Sequence, residues 1–137
     1  MKFNCDTNPM WLSQDTGMPL GMAWCLCLTD KAYQVARKQL AKEGKSVSDM
    51  FPDDGAQCQF IYVEGKLTDC IVCMCERKDP IENAIYLVHE AVHIWQRYCK
   101  EIGEEHPSEE FEAYTIQNIT HRLFHAYHDA LTQRESK

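Results

Sequence analysis

The segment from Asp79 to Gly103 constrains the fold of this chain more than any other stretch. Asp79 is a favourable N-cap residue, and Pro80 suits the first helical position because its missing N–H would have no partner there. Gly103 is a natural C-terminal stop because glycine readily adopts the left-handed backbone conformation. The segment therefore predicts one long helix with defined ends.

Apolar residues recur along this helix at alternating steps of four and three, which is the period of one buried helix face. The residues of this stripe are Ile81, Ile85, Val88, Val92, Trp95, Cys99 and Ile102. His89 and His93 lie beside the stripe and not on it. We therefore expect both histidines at the edge of the core, where a cleft could open.

The same helix carries the pattern His89-Glu90-x-x-His93. Residues four apart lie on one face of a helix, so the two imidazoles can point at one ion. Neutral imidazoles are good zinc ligands, and Glu90 can reach a water bound to that metal. The bare pattern also occurs by chance with two ordinary histidines, but its place on a capped helix favours a zinc site.

Turn residues, alternating strand patterns and helix caps divide the rest of the chain. The predicted elements are an extended arm over 1–19, a buried strand Leu20–Leu28, a helix from Thr29 or Asp30 to about Glu43, a loop over 45–55, a hairpin of strands Gln57–Val63 and Thr68–Cys75 joined by Glu64-Gly65-Lys66, and a long helix from Ser108 to about residue 133. This order predicts one α+β domain over residues 1–137, with a small sheet of about three strands.

Charge and hydropathy exclude several classes of protein. The chain has 14 Lys and Arg against 21 Asp and Glu, a net charge of −7, which argues against a general nucleic-acid binder. The longest apolar run, Leu20–Leu28, is too short to span a bilayer, and the N-terminus has no apolar signal-peptide core. We expect a cytoplasmic protein whose eight cysteines are reduced core thiols, although Cys70 and Cys73 form a C-x-x-C pair.

Two histidines do not complete a catalytic zinc site, which usually has three protein ligands and an open position. Acidic residues open the last helix at Glu109, Glu110 and Glu112. One of them could face the histidines, or all three could simply complement the helix dipole. A further histidine group lies on that helix, at His121, His125 and His128. A second metal site could form there, but the spacing favours an exposed face.

His89-Glu90-x-x-His93, followed by Glu110-Phe-Glu-Ala113-Tyr114 at the opening of the next helix, resembles the gluzincin branch of zinc metallopeptidases. The resemblance is greatest to compact members called minigluzincins, which are common in bacteria and their phages. It implies a zincin-like fold, a Zn²⁺ cofactor, ligands His89, His93 and Glu110, and Glu90 as general base in the hydrolysis of a peptide or protein substrate.

One position departs from this family, because Tyr114 stands where the family has an aspartate that orients a ligand histidine. The phenol could take that role more weakly, or face the cleft as an oxyanion donor. Tyr86 and His106 are further candidates for that donor. The polar side chains Tyr114, Gln117 and His121 continue the Glu110 face of the helix, which favours Glu110 over its acidic neighbours.

Three functions compete on this sequence. The leading one is a zinc metallopeptidase that adds its peptide substrate to an exposed sheet edge. The second is a zinc-binding interaction protein with a gluzincin-like fold, which a phage could encode to engage a host or phage protein without proteolysis. The third is a helical adaptor without metal. We expect no nucleic acid and no membrane among the partners.

Overall fold

A computed structural model of the chain describes residues 3–13 and 22–136. Its elements are β1 (Met10–Leu12), β2 (Ala23–Cys27), α1 (Asp30–Lys42), β3 (Ala56–Val63), β4 (Lys66–Met74), α2 (Pro80–Ile102) and α3 (Glu109–Glu135). The predicted α+β class is confirmed. Within the described residues the sheet has four strands, whereas the sequence predicted about three.

The sheet is mixed, with the strand order β1-β2-β4-β3. β1 pairs with β2 and β3 pairs with β4 in antiparallel fashion, while β2 and β4 are parallel. Parallel neighbours need a crossover connection, and α1 lies within that connection. Among the described residues β3 pairs only with β4, so its other edge is open.

The additional strand corrects the prediction of an extended arm over residues 1–19. Met10–Leu12 pairs with Trp24–Leu26 of β2, and Cys5 before it is buried. A strand of three residues is too short to show an alternating pattern, which explains why the sequence did not indicate it. Residues 14–19, and the first two residues of the predicted strand from Leu20, lie outside the described part of the chain.

The sheet separates two layers of helix because successive strand residues point to opposite faces. Trp24, Leu26 and Val72 face α2 and α3 in the larger core cluster. Ile71 and Cys73 face the other way and pack with residues of α1. The central strand β4 is therefore buried on both faces, and the edge strand β3 lies beside α2.

The predicted hairpin of β3 and β4 is confirmed. Its turn residues Glu64 and Gly65 have φ values of 51° and 80°. Two positive φ angles are what a two-residue type I′ turn requires, and this turn matches the twist of the flanking strands. The register shifts between Ile61 and Tyr62, and beyond this shift Cys58 pairs with Val72 and Phe60 with Cys70, on the face that packs on α2.

The predicted ends of α2 are confirmed. The Asp79 side chain accepts a hydrogen bond from the Ile81 N–H at 2.9 Å, and Gly103 closes the helix with a φ of 72°. The predicted buried stripe is wrong in four of its members, since Ile81 is 69%, Ile85 61%, Val88 40% and Ile102 48% exposed. The buried side chains of α2 are Asn83, Leu87, Glu90, Ala91, Ile94, Trp95, Tyr98 and Cys99.

α3 packs against α2 in the antiparallel direction. Near the start of α3, Glu112 accepts a hydrogen bond from the Trp95 indole N–H at 2.8 Å. Further along α3, the Tyr127 hydroxyl accepts from the Asn83 amide at 2.7 Å. Within residues 3–13 and 22–136, none of the helices has the length and apolar character that crossing a membrane requires.

Candidate metal centre

The imidazoles of His89 and His93 converge on the exposed flank of α2. Their Nε2 atoms are 3.0 Å apart, and the ring planes meet at 75°. Zinc binds imidazole nitrogen at 2.0–2.1 Å, so two nitrogens on one tetrahedral ion lie about 3.3 Å apart. At 3.0 Å one ring donates an N–H···N hydrogen bond to the other, and a zinc ion in place of that proton would need the two nitrogens to separate by only a few tenths of an ångström.

A neighbouring glutamine fixes the tautomer of His93. The His93 Nδ1 atom lies 3.1 Å from the Gln96 Oε1 atom. An amide oxygen only accepts hydrogen bonds, so Nδ1 carries the proton and Nε2 keeps its lone pair. Histidine ligands of metals are commonly oriented by such a bond from the second ring nitrogen. The sequence analysis did not identify Gln96, although its position three residues after His93 places it on the same flank.

Glu90 lies between this flank and the sheet, and its residue is only 3% exposed. Its backbone carbonyl accepts a hydrogen bond from the Cys58 thiol of β3, with a sulfur–oxygen distance of 3.8 Å. The pKa of Cys58 is raised well above its usual value, first by its hydrogen bond with the Cys70 thiol, then by burial and by the Glu90 carboxylate. The Cys58 thiol therefore stays protonated beside Glu90.

A cleft of about 510 Å³ opens at this flank. Its lining residues are Ala56, Gln57, Cys58 and Phe60 of β3 and His89, Glu90, His93, Gln96, Arg97 and Lys100 of α2. A smaller depression adjoins it and shares Ala56, His89 and Glu90. The two together form a groove along the open edge of β3, with the histidine pair at its middle.

The structure does not bring Glu110 to the histidine pair. Among residues 3–13 and 22–136, no three His, Cys, Asp or Glu side chains are gathered as a metal ion would need. Glu110 is exposed in the first turn of α3. The assignment of Glu110 as third ligand therefore remains a prediction from the resemblance.

The packing of α3 explains this separation. Its first turn contacts α2 at Trp95, through the Glu112 hydrogen bond and a ring contact with Phe111 at 5.5 Å between centroids. Trp95 and His93 are two residues apart, so their side chains point about 200° apart around the helix axis. His89 lies six residues before Trp95 and points about 120° away from it, so the first turn of α3 lies on a different side of α2 from both histidines.

The candidate oxyanion donors lie at different places. Tyr114 is 61% exposed on α3 and does not line the cleft. His106 is exposed in the connection between α2 and α3. Tyr86 lines the depression that also contains His89 and Glu90. Of the three candidates, only Tyr86 lies beside the histidine pair.

The other histidine group lies on the exposed side of α3. His121, His125 and His128 are all exposed, which agrees with the predicted exposed face. The rings of His121 and His125 pack edge to face with centroids 4.4 Å apart. Among the described residues, these histidines belong to no group of three His, Cys, Asp or Glu side chains that could hold a metal ion.

Comparison of the chain with protein-family models, with curated proteins and with solved structures finds no match. The interpretation of the site therefore rests on the motif and on the geometry of the described residues.

Proposed function

We propose that this protein is a zinc-dependent metallopeptidase with a zincin-like fold. The observation that carries the proposal is the convergence of the two Nε2 atoms, 3.0 Å apart, beside a buried Glu90 at the open edge of β3. His89 and His93 would hold the ion, with Glu110 as the third ligand that the resemblance implies. That third ligand would require the first turn of α3 to leave Trp95.

The side chains around the pair have distinct parts in this proposal. A zinc ion bound there would act as a Lewis acid and lower the pKa of bound water. Glu90 accepts a proton from the attacking water and returns it to the amine that leaves when the C–N bond breaks. Gln96 holds the His93 ring in the tautomer with a free Nε2. Tyr86 is the best placed donor for the developing oxyanion, ahead of Tyr114 and His106.

The open edge of β3 provides a site for an extended peptide. No strand within residues 3–13 and 22–136 pairs with this edge, so its N–H and C=O groups can hydrogen-bond a further strand, which would lie over the histidine flank of α2. The free edge, the cleft and the pair therefore lie at one place, where a bound peptide would pass the histidines. The proposal also includes a cytoplasmic location, where the eight free cysteines would stay reduced.

Two measurements on purified protein test the proposal. Plasma mass spectrometry on protein prepared without chelators should find one zinc per chain. A pool of quenched fluorogenic peptides should be cleaved by the native protein and not by Glu90→Gln, which should retain its zinc. Cleavage by Glu90→Gln at the native rate would show that Glu90 is not the base, and protein without metal would end the zinc assignment.

A zinc-binding interaction protein is the second candidate. It is favoured by the exposure of Glu110 and Tyr114, since neither lies at the histidine pair. In this case the ion would stabilise the α2 flank while the groove binds a host or phage protein without cleaving it. One zinc per chain together with no cleavage of any peptide pool would select this function over the first.

A further inference from the structure

We propose that the groove selects peptides that carry a carboxylate, and that Arg97 and Lys100 bind this carboxylate two or three residues from the position of the histidine pair. The inference rests on the proposed function only in taking the groove as a peptide site. It adds the chemical class of the peptide.

The charges of the groove are sorted along its length. Arg97 and Lys100 line the end that lies towards the C-terminus of α2, Glu90 lies at the centre, and Asp54, which forms an ion pair with Arg77, lines the adjoining depression at the other end. Lys100 is exposed and forms no ion pair with any residue that the structure describes. Two cations therefore meet at one end of a groove in a chain whose net charge is −7.

Arg97 is held in place before any ligand arrives. Its guanidinium carbon lies 4.7 Å from the centre of the Phe60 ring, and its Nη1 donates to the Tyr62 hydroxyl at 3.1 Å. The Tyr62 hydroxyl in turn donates to Glu101 at 3.0 Å. A guanidinium has five N–H donors in a fixed fork, so the remaining donors can bind a carboxylate through two parallel hydrogen bonds.

The register of β3 and α2 relates the cations to the histidine pair. Contacts run in the same order along both elements, from Cys58 at Glu90 to Phe60 and Tyr62 at Arg97. A strand added to the open edge of β3 would thus also run alongside α2. His93 and Lys100 are two helical turns apart, about 10 Å. An extended peptide spans this distance in about three residues.

Binding can be measured separately from cleavage in the Glu90→Gln protein. The probes are three fluorescein-labelled pools of nine-residue peptides that differ at one end only. The Asp pool has a fixed Asp and an amidated C-terminus, and the neutral pool has a fixed Asn and an amidated C-terminus. The free-carboxylate pool has a fixed Asn and a free C-terminal carboxylate. Fluorescence anisotropy should show that at least one carboxylate pool binds about fivefold or more tightly than the neutral pool. Raising the salt to about 0.5 M should reduce this preference.

Charge-removing variants with similar side-chain length locate the effect. Arg97→Met and Lys100→Met, each made in the Glu90→Gln protein, should lose most of the preference. Lys38→Met, on the exposed side of α1, makes the same change of net charge and should keep it. Arg97→Met also removes the contacts of Arg97 with Phe60 and Tyr62. If this variant does not fold, Lys100→Met alone tests whether the cations bind the carboxylate.

The three pools also separate the outcomes. If only the Asp pool binds more tightly, the site recognises an acidic side chain. If only the free-carboxylate pool does, the site recognises a peptide C-terminus. If both do, the site accepts either carboxylate. Equal binding of all three pools overturns the inference. Cleavage by the native protein without a charge preference would overturn this inference and leave the peptidase function standing. A charge preference without any cleavage would support this inference and count against the peptidase function.

Discussion

Gln96 shows how one amide side chain can decide whether a histidine is ready to bind a metal. Its Oε1 atom accepts the Nδ1 proton of His93, which leaves Nε2 with its lone pair directed at His89. Without this acceptor the imidazole can adopt the other tautomer and rotate. The orientation of the ligand then has to be selected at the moment of binding, which lowers the affinity for the ion.

We therefore expect Gln96→Met to weaken zinc binding by about tenfold, or about 1.4 kcal/mol. Methionine has a similar length and lacks the amide oxygen. A competitive titration against a fluorescent chelator measures the change, and Gln117→Met on the exposed side of α3 is the matched control. An unchanged affinity in Gln96→Met would mean that the His93 ring is held by something other than Gln96.

Glu112 and Glu110 differ in their surroundings although both open α3. Glu112 accepts the indole N–H of Trp95, which is 2% exposed, so Glu112→Ala should leave a buried donor unpaired and destabilise the fold by about 1–3 kcal/mol.

The resemblance predicts that Glu110→Ala weakens zinc binding by at least tenfold, with much less effect from Glu112→Ala. Urea unfolding and the chelator titration measure the two effects.

The reverse order of zinc affinities would move the third ligand to Glu112. Unchanged affinity in both variants would leave His89 and His93 as the protein ligands, with α3 packed on Trp95 as in the structure. The zinc affinities of Glu110→Ala and Glu112→Ala thus test whether the first turn of α3 stays packed on Trp95 in the presence of zinc.

At the scale of whole elements, an ion pair with one buried partner joins the sheet to the segment that follows α1. Asp69 of β4 is 1% exposed, and its Oδ2 atom lies 2.7 Å from the Lys45 ammonium and accepts from the Thr68 hydroxyl, also at 2.7 Å. The pKa of Lys45 is raised, chiefly by its hydrogen bond with Asp69. Lys45 follows the C-terminus of α1, so this pair fixes where that helix ends over the sheet.

Lys45→Met should leave the buried Asp69 carboxylate without its cation and destabilise the protein by about 1–3 kcal/mol, less than for a fully buried pair because the Lys45 side chain is 19% exposed. Because the folded-state pKa of Lys45 lies above its unfolded value, the native pair contributes its full stability below the unfolded pKa. That contribution is lost as the pH rises through the folded pKa. Urea unfolding across alkaline pH should show this loss in the native protein and not in the variant, with Lys38→Met changing little. A loss below about 1 kcal/mol at neutral pH would contradict the assignment.

The ends of the elements could be predicted from the sequence better than their orientation. Asp79, Pro80 and Gly103 act locally, so the bounds of α2 followed from the residues themselves. The buried face did not, because α2 carries a second apolar stripe through Leu87 and Ile94. Both stripes have helical spacing, and only the packing of the sheet and α3 decides between them. A period alone therefore cannot select the face.

The same limit applies to the candidate site. The histidine pair could be predicted because both members lie on one helix, four residues apart. The side chains that complete the cleft, such as Cys58 and Phe60, come from β3, and no local spacing relates them to α2. The third ligand is undetermined for a related reason, since acids at Glu109, Glu110 and Glu112 point in three directions around α3.

For the whole molecule, zinc should act as a stabilising ligand, because the ion joins two side chains that the unfolded chain does not hold together. At a free zinc concentration of a hundred times Kd, the expected gain is about 2.7 kcal/mol, or roughly 10 °C in Tm. Differential scanning calorimetry with and without zinc measures it. His93→Ala should abolish the gain and His121→Ala should not; the opposite pattern would place the ion on the exposed face of α3.

The open edge of β3 also bears on how copies of this protein behave towards one another. A sheet edge that no other strand covers, as β3 is in the part of the chain that the structure describes, is a template for any extended strand, including the same strand of a second copy. Two copies that each carry a net charge of −7 repel one another, and salt weakens that repulsion. Self-association through β3 is therefore favoured in concentrated, salty solution, and a bound peptide would oppose it by occupying the edge first.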